Sequence, residues 1–216
     1  MQHAIVVVGG SPPEAAALAR IDEATIVVAA DSGYDHARAL GLAVDVLVGD
    51  LDSITPEGLA AAHAAGVLVE QHDPDKDATD TELALAVAVT RGATRVTLLT
   101  GATGDRLDHS LAVILSLTHP RLDGVMVDAW VGTAALHALH GPAARQVPAN
   151  HGETLTLLAI GGDAVGITTH GLRYPLLGES LGPASSRGVS NVVTSPHPTI
   201  TLQAGRLLVI RPEALA

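Results

Sequence analysis

The sequence predicts an α/β fold. An N-terminal doubly wound, mostly parallel sheet domain over residues 1–129 is followed by a smaller C-terminal antiparallel β-sandwich domain over residues 130–216. Two observations carry this reading. The first half alternates β-branched apolar runs with Ala-rich stretches, the pattern of βαβ units around a sheet covered on both faces. After Ala129 helical periodicity largely stops, and short apolar runs are separated by Gly and Pro, as in an antiparallel sandwich. The 47% hydrophobic share is enough to fill cores of this size in a chain of 216 residues.

In order along the first half, the apolar runs place strands at Ile5–Val8, Thr25–Ala29, Val46–Val48, Val67–Gln71, Arg95–Leu99 and Val125–Val127. Helix signals fall between them. Ser11 before Pro12-Pro13 and Thr55 before Pro56-Glu57 read as helix starts, and Gly66 and Gly92 follow Ala-rich segments in the position that ends a helix. Thr79-Asp80-Thr81-Glu82 has the spacing of a capping box, with Thr79 capping a helix that continues to Arg91. In the second half the runs Thr154–Leu158, Val165–Thr169, Thr199–Leu202 and Leu207–Ile210 are the expected strands.

A net charge of −11 without any basic run repels the phosphates of a long nucleic acid, so nucleic acid is excluded as an expected partner. A single nucleotide is still compatible, provided a divalent cation stands between the charges. Cysteine is absent, which removes disulfides, thiolate metal sites and a cysteine nucleophile. The longest apolar runs are only strand-length, and Ala4-Ile5-Val6-Val7-Val8 follows the start with no basic lead. The expectation is a cytoplasmic protein without a membrane span.

Ligands of a doubly wound sheet bind beyond the carboxyl ends of its strands. Four such ends share one theme. Asp31-Ser32-Gly33 follows the second strand, Gly49-Asp50-Leu51-Asp52-Ser53 the third, His72-Asp73-Pro74-Asp75-Lys76-Asp77-Ala78-Thr79-Asp80 the fourth, and Thr100-Gly101-Ala102-Thr103-Gly104-Asp105-Arg106-Leu107-Asp108-His109 the fifth. Carboxylates brought to one edge repel unless a cation lies among them. Oxygen-only ligands favour Mg²⁺, which takes one or two carboxylates and shares its remaining positions with water and phosphate. Asp50 and Asp52 point the same way if the turn keeps strand-like geometry. Taken singly, each Asp also reads as a helix cap or turn former, and Gly101-x-x-Gly104 as a tight turn.

Lys76 is the only lysine beside eleven arginines, and it lies in the densest acidic turn. It can pair with phosphate or with its own carboxylates. Arg106, between Asp105 and Asp108, can grip phosphate or hold the turn. His137 and His140, at most one helical turn apart, read as structural residues, since no third ligand follows at zinc-like spacing.

These motifs together resemble the thiamin pyrophosphokinase family. They are Ala30-Asp31-Ser32-Gly33, Val48-Gly49-Asp50-Leu51-Asp52-Ser53-Ile54, Asp75-Lys76-Asp77-Ala78-Thr79-Asp80 and Gly101 through His109, then Gly171-Leu172-Arg173-Tyr174-Pro175-Leu176, Ser190-Asn191 and Gly205-Arg206-Leu207-Leu208. The resemblance implies an α/β nucleotide- and metal-binding catalytic domain, a thiamin-binding and dimerisation sandwich, and a homodimer. It implies pyrophosphoryl transfer from Mg-ATP to the hydroxyl of thiamin, giving thiamin diphosphate and AMP. By the family pattern Asp50, Asp52 and Asp80 hold Mg²⁺, with Asp31 and Asp77 close by. Asp31, Lys76, Thr79, Arg106 and Asp108 meet or orient ATP. Ser190, Asn191 and the aromatic Tyr174 meet thiamin. The expected catalytic set is Asp50, Asp52, Asp77, Asp80, Lys76 and Arg106. Three residues depart from the pattern: Ser32 replaces a usual Gly, Asp35 a common Asn, and Asp105 a frequent Gly. Alternative readings are a pyrophosphokinase for another hydroxymethyl heterocycle, pterin-like, or a non-catalytic nucleotide-binding regulatory protein. The intact acidic motifs argue against the second, and Tyr174 with Ser190-Asn191 favours thiamin over pterin.

Overall fold

The computed structural model describes residues 2–102 and 106–215. The chain divides into two compact units, Met1–Ser116 with Ala129–Gly132, and Leu117–Asp128 with Thr133–Ala216.

In the first unit β1 (His3–Val8), β2 (Ile26–Ala30), β3 (Val46–Gly49), β4 (Leu68–Gln71) and β5 (Arg95–Thr100) lie in the order β5-β1-β2-β3-β4. All neighbouring pairs are parallel, with Val6 opposite both Val28 and Leu98. Every residue of β1, β2 and β3 is buried, which is why these strands read as unbroken apolar runs rather than as alternation. The edge strand β4 is more exposed and carries Glu70 and Gln71. The helices are α1 (Gly33–Ala39), α2 (Pro56–Ala64), α3 (Asp80–Thr90) and α4 (Leu107–Ser116).

Local chemistry fixes where these helices begin. The Thr55 hydroxyl accepts from the Gly58 amide at 2.9 Å, with Pro56 in the first turn of α2. Thr79 and Glu82 complete a reciprocal capping box at the start of α3. Gly66 and Gly92 follow α2 and α3 at φ 72° and 88°, where an L side chain would be strained. The helix expected at Ser11 is not there. Its place is taken by a 3-10 helix at Ala15–Arg20 whose first residue follows Glu14, and the Ser11 carbonyl instead accepts the Gly101 amide at 3.0 Å. Pro13 holds Pro12, which would be the first helical residue, out of the helical region, so no helix starts behind Ser11.

The strand β6 (Met126–Val131) is shared between the units, its residues to Asp128 belonging to the second. That unit contains β7 (Ala134–His140), β8 (Ala143–Gln146), β9 (Thr154–Ala159), β10 (Ala164–His170), β11 (Leu177–Leu181), β12 (Asn191–Val192), β13 (Thr199–Leu202) and β14 (Arg206–Arg211). Two antiparallel arrays form, β12-β9-β14-β7 and β11-β10-β13-β8. Leu139, Leu155, Leu157 and Leu207 from one meet Ile167, Leu181, Ile200 and Leu202 from the other in a single core. Burying each such side chain contributes about 1.5–3 kcal/mol.

The strands β7, β8, β11 and β12 are additions to the expected set. His137 and His140 lie on β7, so they are not a helical turn apart; three residues along a strand puts them on opposite faces. His137 Nδ1 meets Asp128 at 2.6 Å, while His140 meets Asp123 at 2.8 Å and the Leu117 carbonyl at 3.1 Å. Burial holds the His137 imidazole below its ordinary pKa, against the pull of Asp128. Both histidines are structural. No helix among the described residues is long and apolar enough to cross a membrane.

The start of α1 depends on a missing side chain. A Cβ on Gly33 would stand 2.2 Å from the Val7 carbonyl oxygen, a backbone atom of a central strand. Gly33→Ala is expected to destabilise the protein by about 1–3 kcal/mol. Urea unfolding should show a lowered midpoint at unchanged slope; an unchanged midpoint would show that α1 moves freely over β1.

Candidate active site

The site begins where β2 and β3 end. Asp31 leaves β2 at φ 50° with its amide bonded to the Val48 carbonyl at 2.9 Å. Gly49 leaves β3 at φ 149°, and a Cβ there would meet Asp31 Cβ and Asp80 Oδ1, each at 3.2 Å. Glycine thus lets two carboxylate-bearing residues close over the end of β3. The next residue but one, Leu51, also lies in the left-handed region, at φ 67°. Its side chain packs against the cluster of Ala29, Tyr34, Leu47 and Ile54, which offsets a conformation costing about 1–3 kcal/mol.

Asp50 and Asp52 therefore do not come together through strand-like alternation. The reversal at Leu51 turns the half-buried leucine toward that cluster and gathers the flanking carboxylates. One oxygen from each of Asp31, Asp50 and Asp52 lies within 4.8 Å of the others. Asp31 is buried, Asp50 half-buried and Asp52 exposed. Asp31 Oδ2 accepts from the Ser53 hydroxyl at 2.5 Å and the Ser53 amide at 3.3 Å; Oδ1 is buried and has no hydrogen-bond partner among the described residues. Burial first, then the charges of Asp80 and Asp52, hold the Asp31 carboxyl above its usual range despite the Ser53 hydrogen bond. An orphaned, buried carboxylate oxygen among further carboxylates fits a hard divalent cation.

Lys76 closes the other side. Its ammonium stands 3.0 Å from Asp50 Oδ2 and 3.0 Å from Asp80 Oδ1. The hydrogen bond from Lys76 holds Asp50 below the ordinary carboxylate range. Burial works against the lysine charge, but the bonds to Asp50 and Asp80 outweigh it and raise the Lys76 pKa. Asp80 reaches this point because Thr79 caps α3 immediately before it, placing a carboxylate in the first turn where the helix dipole favours it. Of the three residues expected on metal, Asp50 and Asp52 thus group with Asp31, while Asp80 joins them through Lys76. Asp77 is exposed.

Arg106 and Asp108 form an exposed two-pronged pair, Nε to Oδ1 at 3.0 Å and a terminal nitrogen to Oδ2 at 2.7 Å. That contact holds Asp108 well below the ordinary carboxylate range. Gly104 and Asp105 lie outside the described residues.

In the second unit Asn191 is buried, and its side chain ties down the Tyr174 backbone. Asn191 Oδ1 accepts from the amides of Tyr174 at 3.0 Å and Val192 at 2.9 Å, and Nδ2 donates to the Tyr174 carbonyl at 2.7 Å. Tyr174 itself is 62% exposed. Ser190 is exposed at φ 57°, its amide held by the Thr156 hydroxyl at 3.0 Å. The three residues expected on thiamin are therefore neighbours, with Asn191 bracing the Tyr174 backbone.

Sequence reasoning assigned no role to Ser53 or Asp35. Asp35 on α1 accepts from the Thr55 amide at 2.9 Å and hydroxyl at 3.0 Å, so the loop from Asp50 to Thr55 is fastened at both Ser53 and Thr55 to the segment that carries Asp31. These contacts span about twenty residues of chain, and only the paired hydroxyls after Asp52 hinted at them.

The raised carboxyl of Asp31 gives a signed prediction. Its folded pKa exceeds its unfolded one, so its ionisation costs stability as pH rises through that window. At neutral pH Asp31→Asn should raise the melting temperature of the cation-free protein. It should also lose most of the stabilisation that Mg²⁺ gives the parent, about 2.7 kcal/mol at a hundred times Kd or about 5–10 °C in a chain of this length. Thermal melts with and without Mg²⁺ check both; a less stable cation-free variant would contradict the account.

The catalytic-domain model of thiamin pyrophosphokinase matches residues 18–127. The vitamin B1 binding domain model of thiamin pyrophosphokinase matches residues 143–207. The fold is shared with a thiamine pyrophosphokinase from Bacillus subtilis at TM-score 0.81 and 23% identity, over 96% of this chain and 98% of that one. A thiamin pyrophosphokinase family protein from Enterococcus faecalis superposes at TM-score 0.77 with 25% identity over 98% of both chains. A thiamin pyrophosphokinase from Geobacillus thermodenitrificans does so at 0.78 and 25% over 96% of both. No match was found among curated proteins. The acidic loops around Asp31, Asp50 and Asp80 fall in the first matched stretch and Tyr174 with Ser190-Asn191 in the second, and the chain belongs to the thiamin pyrophosphokinase family.

Proposed function

We propose that this protein transfers a pyrophosphoryl group from Mg-ATP to the hydroxyl of thiamin, releasing thiamin diphosphate and AMP. The observation that carries the reading is that successive stretches of one chain match the catalytic and the vitamin B1 binding domains of the same enzyme. Asp50, Asp52 and Asp80 are the proposed ligands of Mg²⁺, and the orphaned oxygen of Asp31 makes it a fourth candidate. Magnesium, when bound, supplies positive charge shared between these carboxylates and the phosphate oxygens.

The remaining work falls to the side chains. Lys76, the one lysine, and Arg106 donate to phosphate oxygens and offset the charge that develops as the hydroxyl attacks the β-phosphorus and AMP leaves. Each must then exchange a carboxylate partner for phosphate, Lys76 from Asp50 and Asp80, Arg106 from Asp108. Thr79 and Asp108 orient the nucleotide, and Asp77 adds to the negative field that draws in the metal. Asn191 fixes the backbone that carries Tyr174, so the exposed ring and Ser190 face thiamin in a set geometry. Positioning and electrostatics, without a covalent intermediate, account for the rate. We place the enzyme in the cytoplasm as a homodimer.

In a reaction quenched early, nucleotide chromatography should find AMP and thiamin diphosphate in equal amounts. ADP appearing in step with thiamin monophosphate would overturn the proposal. Asp50→Asn, Asp52→Asn and Asp80→Asn should each lower kcat by about 100-fold or more, with far-ultraviolet circular dichroism unchanged. Near-normal turnover in two of the three would remove the metal assignment. Light scattering at assay concentration should give twice the chain mass.

A further inference from the structure

Ser32 and Ser53 stand on separate loops, and the function described above uses neither. Their hydroxyl oxygens lie 3.0 Å apart, and Ser53 Oγ is 2.5 Å from Asp31 Oδ2. A hydroxyl has one proton to give. With that of Ser53 committed to the charged carboxylate, the Ser32 hydroxyl is the donor to Ser53, and the chain of protons runs from Ser32 through Ser53 to Asp31. The Ser53 amide adds a second donor to the same oxygen at 3.3 Å.

Satisfying Oδ2 in this way leaves Oδ1 as the buried oxygen of Asp31 without a partner among the described residues. The carboxylate of Asp31 cannot swing out of this orientation without breaking the contacts to Ser53. The packing agrees, because a Cβ on Gly9 would stand 2.4 Å from Ser32 Oγ, so the glycine makes the room in which the Ser32 hydroxyl sits. Groups that hydrogen-bond a metal-binding carboxylate set its orientation, and losing them weakens metal affinity about 10–100-fold.

We infer that Ser53, backed by Ser32, is a positioning residue that holds the Asp31 carboxylate so that its free oxygen is presented to the divalent cation. The inference rests on the proposed metal site. Both serines act through Asp31.

The test is direct binding of Mn²⁺ to the nucleotide-free protein, read from the electron paramagnetic resonance signal of the free ion. Ser53→Ala should bind Mn²⁺ about 10-fold more weakly than the parent, and Ser53→Thr, which keeps a hydroxyl, should restore most of the affinity. Parental affinity in Ser53→Ala, or Ser53→Thr as weak as Ser53→Ala, would overturn the role of Ser53. Ser32→Gly leaves Ser53 in place and should weaken binding in the same direction by a smaller factor; parental affinity there would overturn the part given to Ser32. Ser53→Thr and Ser32→Gly remain decisive if Ser53→Ala does not fold. A parent protein that binds no Mn²⁺ removes the metal site itself, a failure distinct from equal binding by parent and Ser53→Ala.

Discussion

Mutual repulsion among carboxylates governs the first unit. Two unit charges 4 Å apart cost about 4 kcal/mol at an effective dielectric of 20, against a whole-chain stability of about 5–15 kcal/mol. Oxygens of Asp31, Asp50 and Asp52 within 4.8 Å of one another, with Asp80 sharing a lysine with Asp50, make a large part of that sum. The protein meets it with the ammonium of Lys76, with donors from Ser53, and with a raised pKa at Asp31. What these leave is a residual negative field concentrated at the carboxyl edge of the sheet, the setting in which a hard cation and a polyphosphate can be bound by an acidic protein.

The backbone is shaped to create that crowding. Asp31 and Leu51 adopt left-handed conformations and Gly49 accepts neighbours at 3.2 Å from where its Cβ would be. Strain of this kind survives only where packing over-determines it. Here Leu51 is seated against Tyr34, Leu47 and Ile54, while Asp35 and Asp31 fasten the loop at Thr55 and Ser53. The same side chains that build the site also cap its helices: Thr55 starts α2 and Thr79 starts α3. Helix initiation and the placing of the acidic loops are thus one set of contacts.

The parallel unit was legible because its strands are buried on both faces, so β1, β2 and β3 write themselves as continuous apolar runs between Ala-rich helices. Thr79-x-x-Glu82 likewise carries a complete local instruction. The second unit was less so. Strand β7 contains two histidines with polar partners, β8 is Ala-Ala-Arg-Gln, and β12 has only Asn191 and Val192, so none presents a clear period of two. At the site, the acidic residues announced themselves by their position after strands. Their grouping did not, because it depends on the reversal at Leu51 and on contacts such as Ser53 with Asp31, 22 residues away in sequence. Asn191 is the clearest case of a motif position whose contacts needed coordinates: the residue expected on thiamin is also a buried brace for the Tyr174 backbone.

The proposed chemistry depends on one place in the molecule, the space bounded by Asp31, Asp50 and Asp52 beside Lys76. Anomalous diffraction at the manganese edge from crystals grown with Mn²⁺ tests it most directly. The account predicts a peak about 2.1 Å from carboxylate oxygens of Asp50 and Asp52, with Lys76 drawn away from Asp50. Ordered crystals with Lys76 still bridging Asp50 and Asp80, and the manganese peak elsewhere or missing, would contradict it.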